Sequence, residues 1–223
     1  MNDKNKVLIW DLPIRLFHWS LAILVTVSIY TGLTGGFQEM EYHMLSGYCI
    51  LALILFRVGW GLFGSFHARF SSFVSFRKIL PYARHILQRD KPSAGHNPLG
   101  ALSIIAMLTV LLIQAGTGLF SDDDIMTEGP LTHLVSDDLG NQLTKVHHLN
   151  AWLLYGLVGL HLAAITFYEL YRRDRLLLPM ITGRKTLAES GTETRPIGAY
   201  NLAKAVLLAA ICSGLVYYLV NKL

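Results

Sequence analysis

The stretch KVHHLNAWLLYGLVGLHL, Lys145 to Leu162, sets three histidines in or beside a run otherwise apolar enough for a lipid bilayer. An imidazole is polar at both nitrogens, and hydrocarbon offers neither of them a partner. What His147, His148 and His161 are bonded to therefore decides what kind of protein this is. His147 and His161 are 14 residues apart, close to four whole helical turns, so they share one face at a separation of about 21 Å along the axis. His148 points more than a quarter turn away from that stripe.

The surrounding sequence has membrane character. Of 223 residues, 52% are hydrophobic and 15% charged, where a soluble domain carries about 25% charge; the mean hydropathy is +0.42. Five runs, 15–34, 43–64, 98–120, 148–171 and 199–220, are long enough to cross about 30 Å of hydrocarbon as helix. The third has no charge at all, and Lys204 near the start of the fifth can snorkel to the headgroups. The first run has no small-residue cleavage site, so it is expected to be a retained helix rather than a signal peptide. The two cysteines, Cys49 and Cys212, lie in apolar runs, and the absence of CxxCH excludes covalent c-type haem. A basic balance in such a chain does not imply nucleic acid.

The loops alternate in sign. Lys4 and Lys6 precede the first run, and Glu39 and Glu41 follow it. Arg69, Arg77, Lys78, Arg84, Arg89 and Lys91 lie in 65–97. Asp122, Asp123, Asp124, Glu128, Asp137 and Asp138 lie in 121–146 against Lys145 alone, and 172–198 is basic again. The positive-inside rule predicts a cytoplasmic N-terminus and a periplasmic C-terminus. Within the first basic loop, Phe73, Phe76, Leu80, Ala83 and Leu87 recur at helical spacing. They predict an amphipathic helix over about 70–90 on the inner surface, broken or restarted at Pro81. Trp10, Trp60 and Trp152 fall near span ends and are expected to be interfacial anchors. His67, His85, His96, His133 and His148 lie at span ends or in loops, where solvent or headgroups satisfy them.

Depth supplies partners for the striped pair. His18 lies near the inner end of the first run and His43 at the outer start of the second. On this topology His18 meets His161 at the inner level, and His43 meets His147 at the outer. Two neutral imidazoles complete a six-coordinate haem iron, whose macrocycle belongs between apolar helices. Zinc usually takes four protein ligands, often thiolate or carboxylate, and none stands beside these histidines; a copper site is less easily excluded. His96 and His148 are close enough to the ligand layers to be the substitutes for a misassigned ligand. Propionates need cations. Arg57, 14 residues after His43, shares its face at about the inner level, and Arg15, three before His18, shares that histidine's face. A propionate is a good charge-assisted partner for an arginine within a span. Gly47, one turn after His43, would let a porphyrin approach the backbone.

The segments WDLPIRLFHWSLA, YHMLSGYCILALILFRVGWGLFGSFHARF, GHNPLGALSIIAML, GLFSDDDIMTEGPL and HHLNAWLLYGLVGLH resemble the bacterial cytochrome b561 / Ni,Fe-hydrogenase cytochrome b family over about residues 7–185. The resemblance implies an all-α transmembrane fold. A four-helix haem-binding bundle over 1–185 is followed by a linker and a fifth C-terminal transmembrane helix over 186–223. It implies two non-covalent haem b groups, on His18/His161 and His43/His147. His148 is a departure, since many members carry an acid there. The implied function is electron transfer across the bacterial cytoplasmic membrane between the quinone pool, ubiquinone or menaquinone, and a redox partner. That partner would be an oxidoreductase or hydrogenase complex, or a basic c-type cytochrome docked on the acidic outer loop. Two alternatives use the same histidines: a self-contained membrane enzyme oxidising quinol or reducing a small oxidant, and a metal transporter. No line of acids along the spans supports the transporter.

Overall fold

The computed structural model describes residues 6–75, 77, 79–84, 96–122, 127–186 and 199–222. Five of its helices are long and apolar enough to cross a membrane, and the chain is a multi-pass all-α membrane protein. They are α1 (Leu12–Thr34), α2 (Phe37–Phe63), α5 (Pro98–Gly118), α6 (Asp137–Phe167) and α8 (Ala199–Lys222). Short helices α3 (Phe70–Phe73), α4 (Ile79–Arg84) and α7 (Leu177–Thr182) lie in the basic connections. These connections share one end of the bundle, called here the basic end; the 35–36 and 119–136 connections form the acidic end.

Side chains and prolines set the helix starts. Asp11 caps α1, its Oδ1 accepting from the Ile14 amide at 2.8 Å, and Asn97 caps α5, accepting from Gly100 at 2.7 Å. Pro13 and Pro98 sit in the first turns, where no amide is needed. Two spans begin earlier than hydropathy predicts. α6 starts at Asp137, with Ser136 as cap and two aspartates in its first turn, where carboxylates favour the positive end of the helix dipole. α2 likewise begins at Phe37. His43 and His147 are therefore well inside helices rather than at their starts. α6 ends in one wide π-turn, Tyr168–Arg172, and Arg173 adopts φ 54°.

α2 is the hub, packed along α1, α5 and α8, while α5 packs along α6. α6 does not run in close backbone contact with α1 or α2; it faces them across side chains. The core between α1, α2, α5 and α6 is aliphatic, with Val25, Ile50, Ile54, Val110, Leu111 and Leu154. α8 turns Ala205, Cys212 and Val216 inward and leaves Val206, Leu207, Ile211 and Leu215 exposed for lipid, as an outer helix should.

The basic end differs from expectation. A two-stranded antiparallel ribbon, Lys6–Leu8 with Arg184–Thr186, ties the N-terminus to the chain beyond α7. Gly183 (φ 80°) turns the chain from α7 into the second strand, and its carbonyl accepts from Ile9 and Trp10 at 2.8 and 3.1 Å. Trp152 is exposed, but Trp60 and Trp10 are 2% and 8% exposed and belong to the core. A buried acid accounts for Trp60: its indole N–H donates to Asp11 Oδ2 at 2.9 Å. Among its described residues the amphipathic segment holds two short helices, α3 and α4, with Pro81 in the first turn of α4. Phe76, Leu87, Lys78, His85, Arg89, Lys91, Asp123 and Asp124 lie outside the described residues.

Candidate functional site

Helical phase and depth bring four histidines together in two pairs. At the basic end, the rings of His18 (α1) and His161 (α6) have centroids 6.4 Å apart and planes at 51°. Toward the acidic end, His43 (α2) and His147 (α6) have centroids 6.1 Å apart and planes at 83°. An imidazole nitrogen bonds a metal at about 2 Å, and its ring centre lies about 1.1 Å further on. Two rings on opposite sides of one ion therefore stand roughly 6.2 Å apart. Both pairs match that spacing.

Among the described residues, no three or more His, Cys, Asp or Glu side chains are gathered as a metal-binding group. An ion held by either pair would take its remaining donors from something other than the chain, and a porphyrin supplies four in a plane. The residues present fit that group.

The acidic-end pair has its ring nitrogens assigned by the backbone. His43 Nδ1 lies 2.8 Å from the Ser28 carbonyl and 3.3 Å from the Ser28 hydroxyl. His147 Nδ1 lies 3.0 Å from the Gln114 carbonyl and 3.3 Å from Thr117 Oγ1. A carbonyl only accepts, so each Nδ1 carries the proton and each Nε2 presents its lone pair. This is the orientation a metal-binding histidine needs. His147 Nε2 accepts from the Gln114 side-chain amide at 3.0 Å. A metal would compete for that lone pair and turn the amide away. Gln114 is steadied by Asn150, which donates to Gln114 Oε1 at 2.7 Å and to the Val110 carbonyl at 2.9 Å.

Glycines make the room. A Cβ at Gly32 would lie 2.9 Å from the His43 ring, and one at Gly118 would lie 3.0 Å from His147. Gly47 meets nothing within 4 Å and lines, with both histidines, the cavity between α1, α2, α5 and α6. His148 is exposed, edge-on to His147 at 6.2 Å between centroids, and borders the same cavity.

Among the described residues the basic-end pair shows no such scaffolding, and His18 Nδ1 is enclosed there with no hydrogen-bond partner. Of the two arginines singled out in the sequence, Arg57 is 3% exposed, its guanidinium 4.7 Å from the Phe70 ring centre and its Nη1 without a partner among the described residues. Arg15 donates through Nη1 to the Ile181 carbonyl, and its Nε is enclosed without a partner among them. Within the described residues both arginines thus keep an unspent donor. His96 is not a headgroup histidine. Its ring lies 4.5 Å from both Trp10 and Phe73, and burial, reinforced by Arg57 and His67, lowers its pKa to about 3. Burial also lowers that of His67.

Gln114, Asn150, Gly32 and Gly118 escaped the sequence reading. The available signal was chemical, since a carboxamide inside a lipid-spanning run needs a partner. Gln114 breaks the otherwise apolar third span, and Asn150 follows His147 by three residues.

Comparison with known proteins gives the family. The family model described as prokaryotic cytochrome b561 matches residues 9–183. Three similar proteins are each named "Probable Ni/Fe-hydrogenase B-type cytochrome subunit". That of Rhizobium leguminosarum bv. viciae is 23% identical over 82% of this chain and 90% of its own length. That of Azotobacter vinelandii is 25% identical with the same coverage, and that of Rhodobacter capsulatus 20% identical over 85% of each. No solved structure matches the chain. With the family model spanning the four-helix region that holds both histidine pairs, the chain belongs to the prokaryotic cytochrome b561 family, the b-type cytochromes that carry electrons on haem b.

Proposed function

We propose that this chain carries two haem b groups, one between His18 and His161 and one between His43 and His147, and passes electrons through the membrane between a redox partner and the quinone pool. The observation that carries the proposal is the pairing of four imidazoles at ligating separation on two levels of one bundle. The levels are about 21 Å apart along α6.

A bound haem iron supplies the redox chemistry, one electron at a time. The protein's own residues do the rest. His43 and His147 are held in one tautomer by carbonyls, the aliphatic core keeps water away, and Arg15 and Arg57 offer unspent donors to propionates at the basic end. Charge alternation supports a bacterial inner-membrane location with the basic end cytoplasmic and the acidic end periplasmic. The similar proteins are named as hydrogenase cytochrome subunits, which supports an oxidoreductase or hydrogenase complex as the periplasmic-side partner; a c-type cytochrome docked on the acidic face is the other candidate. Ubiquinone or menaquinone would exchange electrons at the opposite level. Residues 1–185 form the cytochrome unit, and 186–223 a linker and anchoring helix that packs on α2.

Reduced-minus-oxidised visible spectra with haem counting test this. The purified protein should hold two low-spin b haems per chain, and His18→Ala, His43→Ala, His147→Ala and His161→Ala should each remove or convert one. A colourless protein, or a haem count unchanged by all four substitutions, ends the proposal. Steady reduction of the haems by a hydrogenase or c-type cytochrome, followed by reoxidation on quinone addition, tests the partners.

A further inference from the structure

His18 and His161 stand on helices with no extended backbone contact: α1 packs along α2, and α6 along α5. Their rings nevertheless keep a centroid separation of 6.4 Å. The short helix α7 is tied to both of their helices. On the α6 side, the closing π-turn Tyr168–Arg172 carries Glu169. Its carboxylate accepts from the amides of Leu176 and Leu177 at 2.7 and 2.8 Å, which no helical carbonyl serves at the start of α7. Asp174, in the same connection, pairs with Lys185 of the ribbon at 2.7 Å.

On the α1 side, the far end of α7 offers carbonyls. The Trp19 indole N–H donates to Met180 at 3.2 Å, and Arg15 donates through Nη1 to Ile181. Arg15 and Trp19 flank His18, three residues before it and one after. Trp19 also stands perpendicular to the His18 ring, with centroids 5.2 Å apart. It is 39% exposed, so the Met180 bond directs its ring more than burial does. A main-chain carbonyl orients each acidic-end imidazole, whereas His18 Nδ1 has no hydrogen-bond partner among the described residues. The indole is the ring contact that stands beside His18 instead.

We infer that α7 is a strut between the two basic-end ligand helices, and that Trp19 is a positioning residue for His18. Glu169 fixes the strut to α6, and Trp19 and Arg15 fix it to α1. The width of the slot between His18 and His161 is therefore set from the basic connection rather than by packing of the ligand helices on each other. Only Nη1 of Arg15 is spent on α7, so its Nε stays available to a propionate. Asp11 ties the first turn of α1 to Trp60 on α2, which leaves the α6 side to α7. The inference rests on the two-haem reading above and adds what holds one of the two sites at ligating width.

Parting α1 from α6 releases a haem held between them, and the strut opposes that motion. The angle between two axial imidazole planes sets the anisotropy of a low-spin ferric signal, so a turned His18 ring registers there. The test is the electron paramagnetic resonance spectrum of the oxidised, haem-loaded, full-length protein, together with the rate of haem transfer to apomyoglobin. His18→Ala and His43→Ala assign each signal to its level. Trp19→Phe keeps a ring against His18 and removes the N–H. Glu169→Ala removes the cap of α7 from a position eight residues beyond His161, and Glu169→Gln keeps an acceptor oxygen there. Trp19→Phe and Glu169→Ala should each shift the largest g value of the basic-end signal. Each should also speed transfer of that haem roughly tenfold, the scale of one or two lost hydrogen bonds, and leave the acidic-end signal in place. Glu169→Gln should restore the parent values. Outright loss of the basic-end haem alone counts for the strut. A basic-end signal unmoved by either change, both signals moving together, or Glu169→Gln behaving as Glu169→Ala overturns the inference while two haems in the parent uphold the reading beneath it. A parent protein with fewer than two haems defeats both.

Discussion

His147 and Gln114 are joined twice, Nδ1 to the main-chain carbonyl and Nε2 to the side-chain amide, each at 3.0 Å. The main-chain carbonyl on α5 thereby fixes the tautomer of His147 on α6, and the side-chain amide caps the Nε2 lone pair that a metal would take. Asn150, 8% exposed, completes the link by holding Gln114 Oε1. Asn150→Leu should leave Gln114 and the Val110 carbonyl without that donor. The expected cost is about 1–3 kcal/mol, the penalty for unsatisfied buried polar groups. On the proposed two-haem reading, thermal bleaching of the haem absorbance should come at a lower temperature for one of the two haems; equal midpoints in parent and variant would show that the amides contribute nothing.

Gly32 and Gly118 are close against the two acidic-end rings, whereas a Cβ at Gly156 or Gly159 meets nothing within 4 Å. Branched replacements at the first two positions should displace the ligands. On the proposed two-haem reading, Gly32→Val and Gly118→Val are expected to reduce haem from two per chain to one, and Gly156→Ala and Gly159→Ala to leave two. Pyridine haemochrome counting separates the cases, and two haems retained in both valine variants would contradict the packing.

Asp11 serves two elements with one carboxylate, capping α1 through Oδ1 and accepting the Trp60 indole through Oδ2. Asp11→Ala loses a cap worth about 1 kcal/mol and orphans a buried N–H at about 1–3 kcal/mol. Asparagine also caps helices well, so Asp11→Asn should be the milder change. Thermal unfolding in detergent should rank wild type above Asn above Ala, and equal midpoints for Ala and wild type would refute the dual role.

His96 should make the basic end acid-sensitive. Its folded pKa, about 3, lies below the ordinary 6.5, with burial the largest cause and Arg57 and His67 adding to it. The unfolded chain therefore binds a proton that the folded chain refuses between these values. Stability from this group is complete above pH 6.5 and falls as pH drops toward 3. His96→Leu, which keeps an apolar body between Trp10 and Phe73, should flatten stability over that window. An acid limb as steep as in the parent would exclude His96 as a contributor.

Much of this was legible in one dimension. The 14-residue interval between His147 and His161 fixes a common stripe because helix periodicity is local. Loop charge fixes alternation, and the apolar runs fix five spans, since a backbone in lipid can satisfy itself only as helix there. Those regularities were enough to pair His18 with His161 and His43 with His147. Span ends were less legible: the polar first turns of α2 and α6 carry acids that hydropathy reads as loop, although Ser136 and the helix dipole suit them to a helix start. Trp60 likewise reads as an interfacial anchor until Asp11, 49 residues away, claims its N–H inside the core. The sequence by itself determined the membrane helices and the histidines that face one another, because both follow from short-range spacing. Only the tertiary structure decided which ring nitrogen each acidic-end histidine presents, which glycines admit the rings and why the two levels differ, because those depend on carbonyls and side chains brought together from helices distant in the chain.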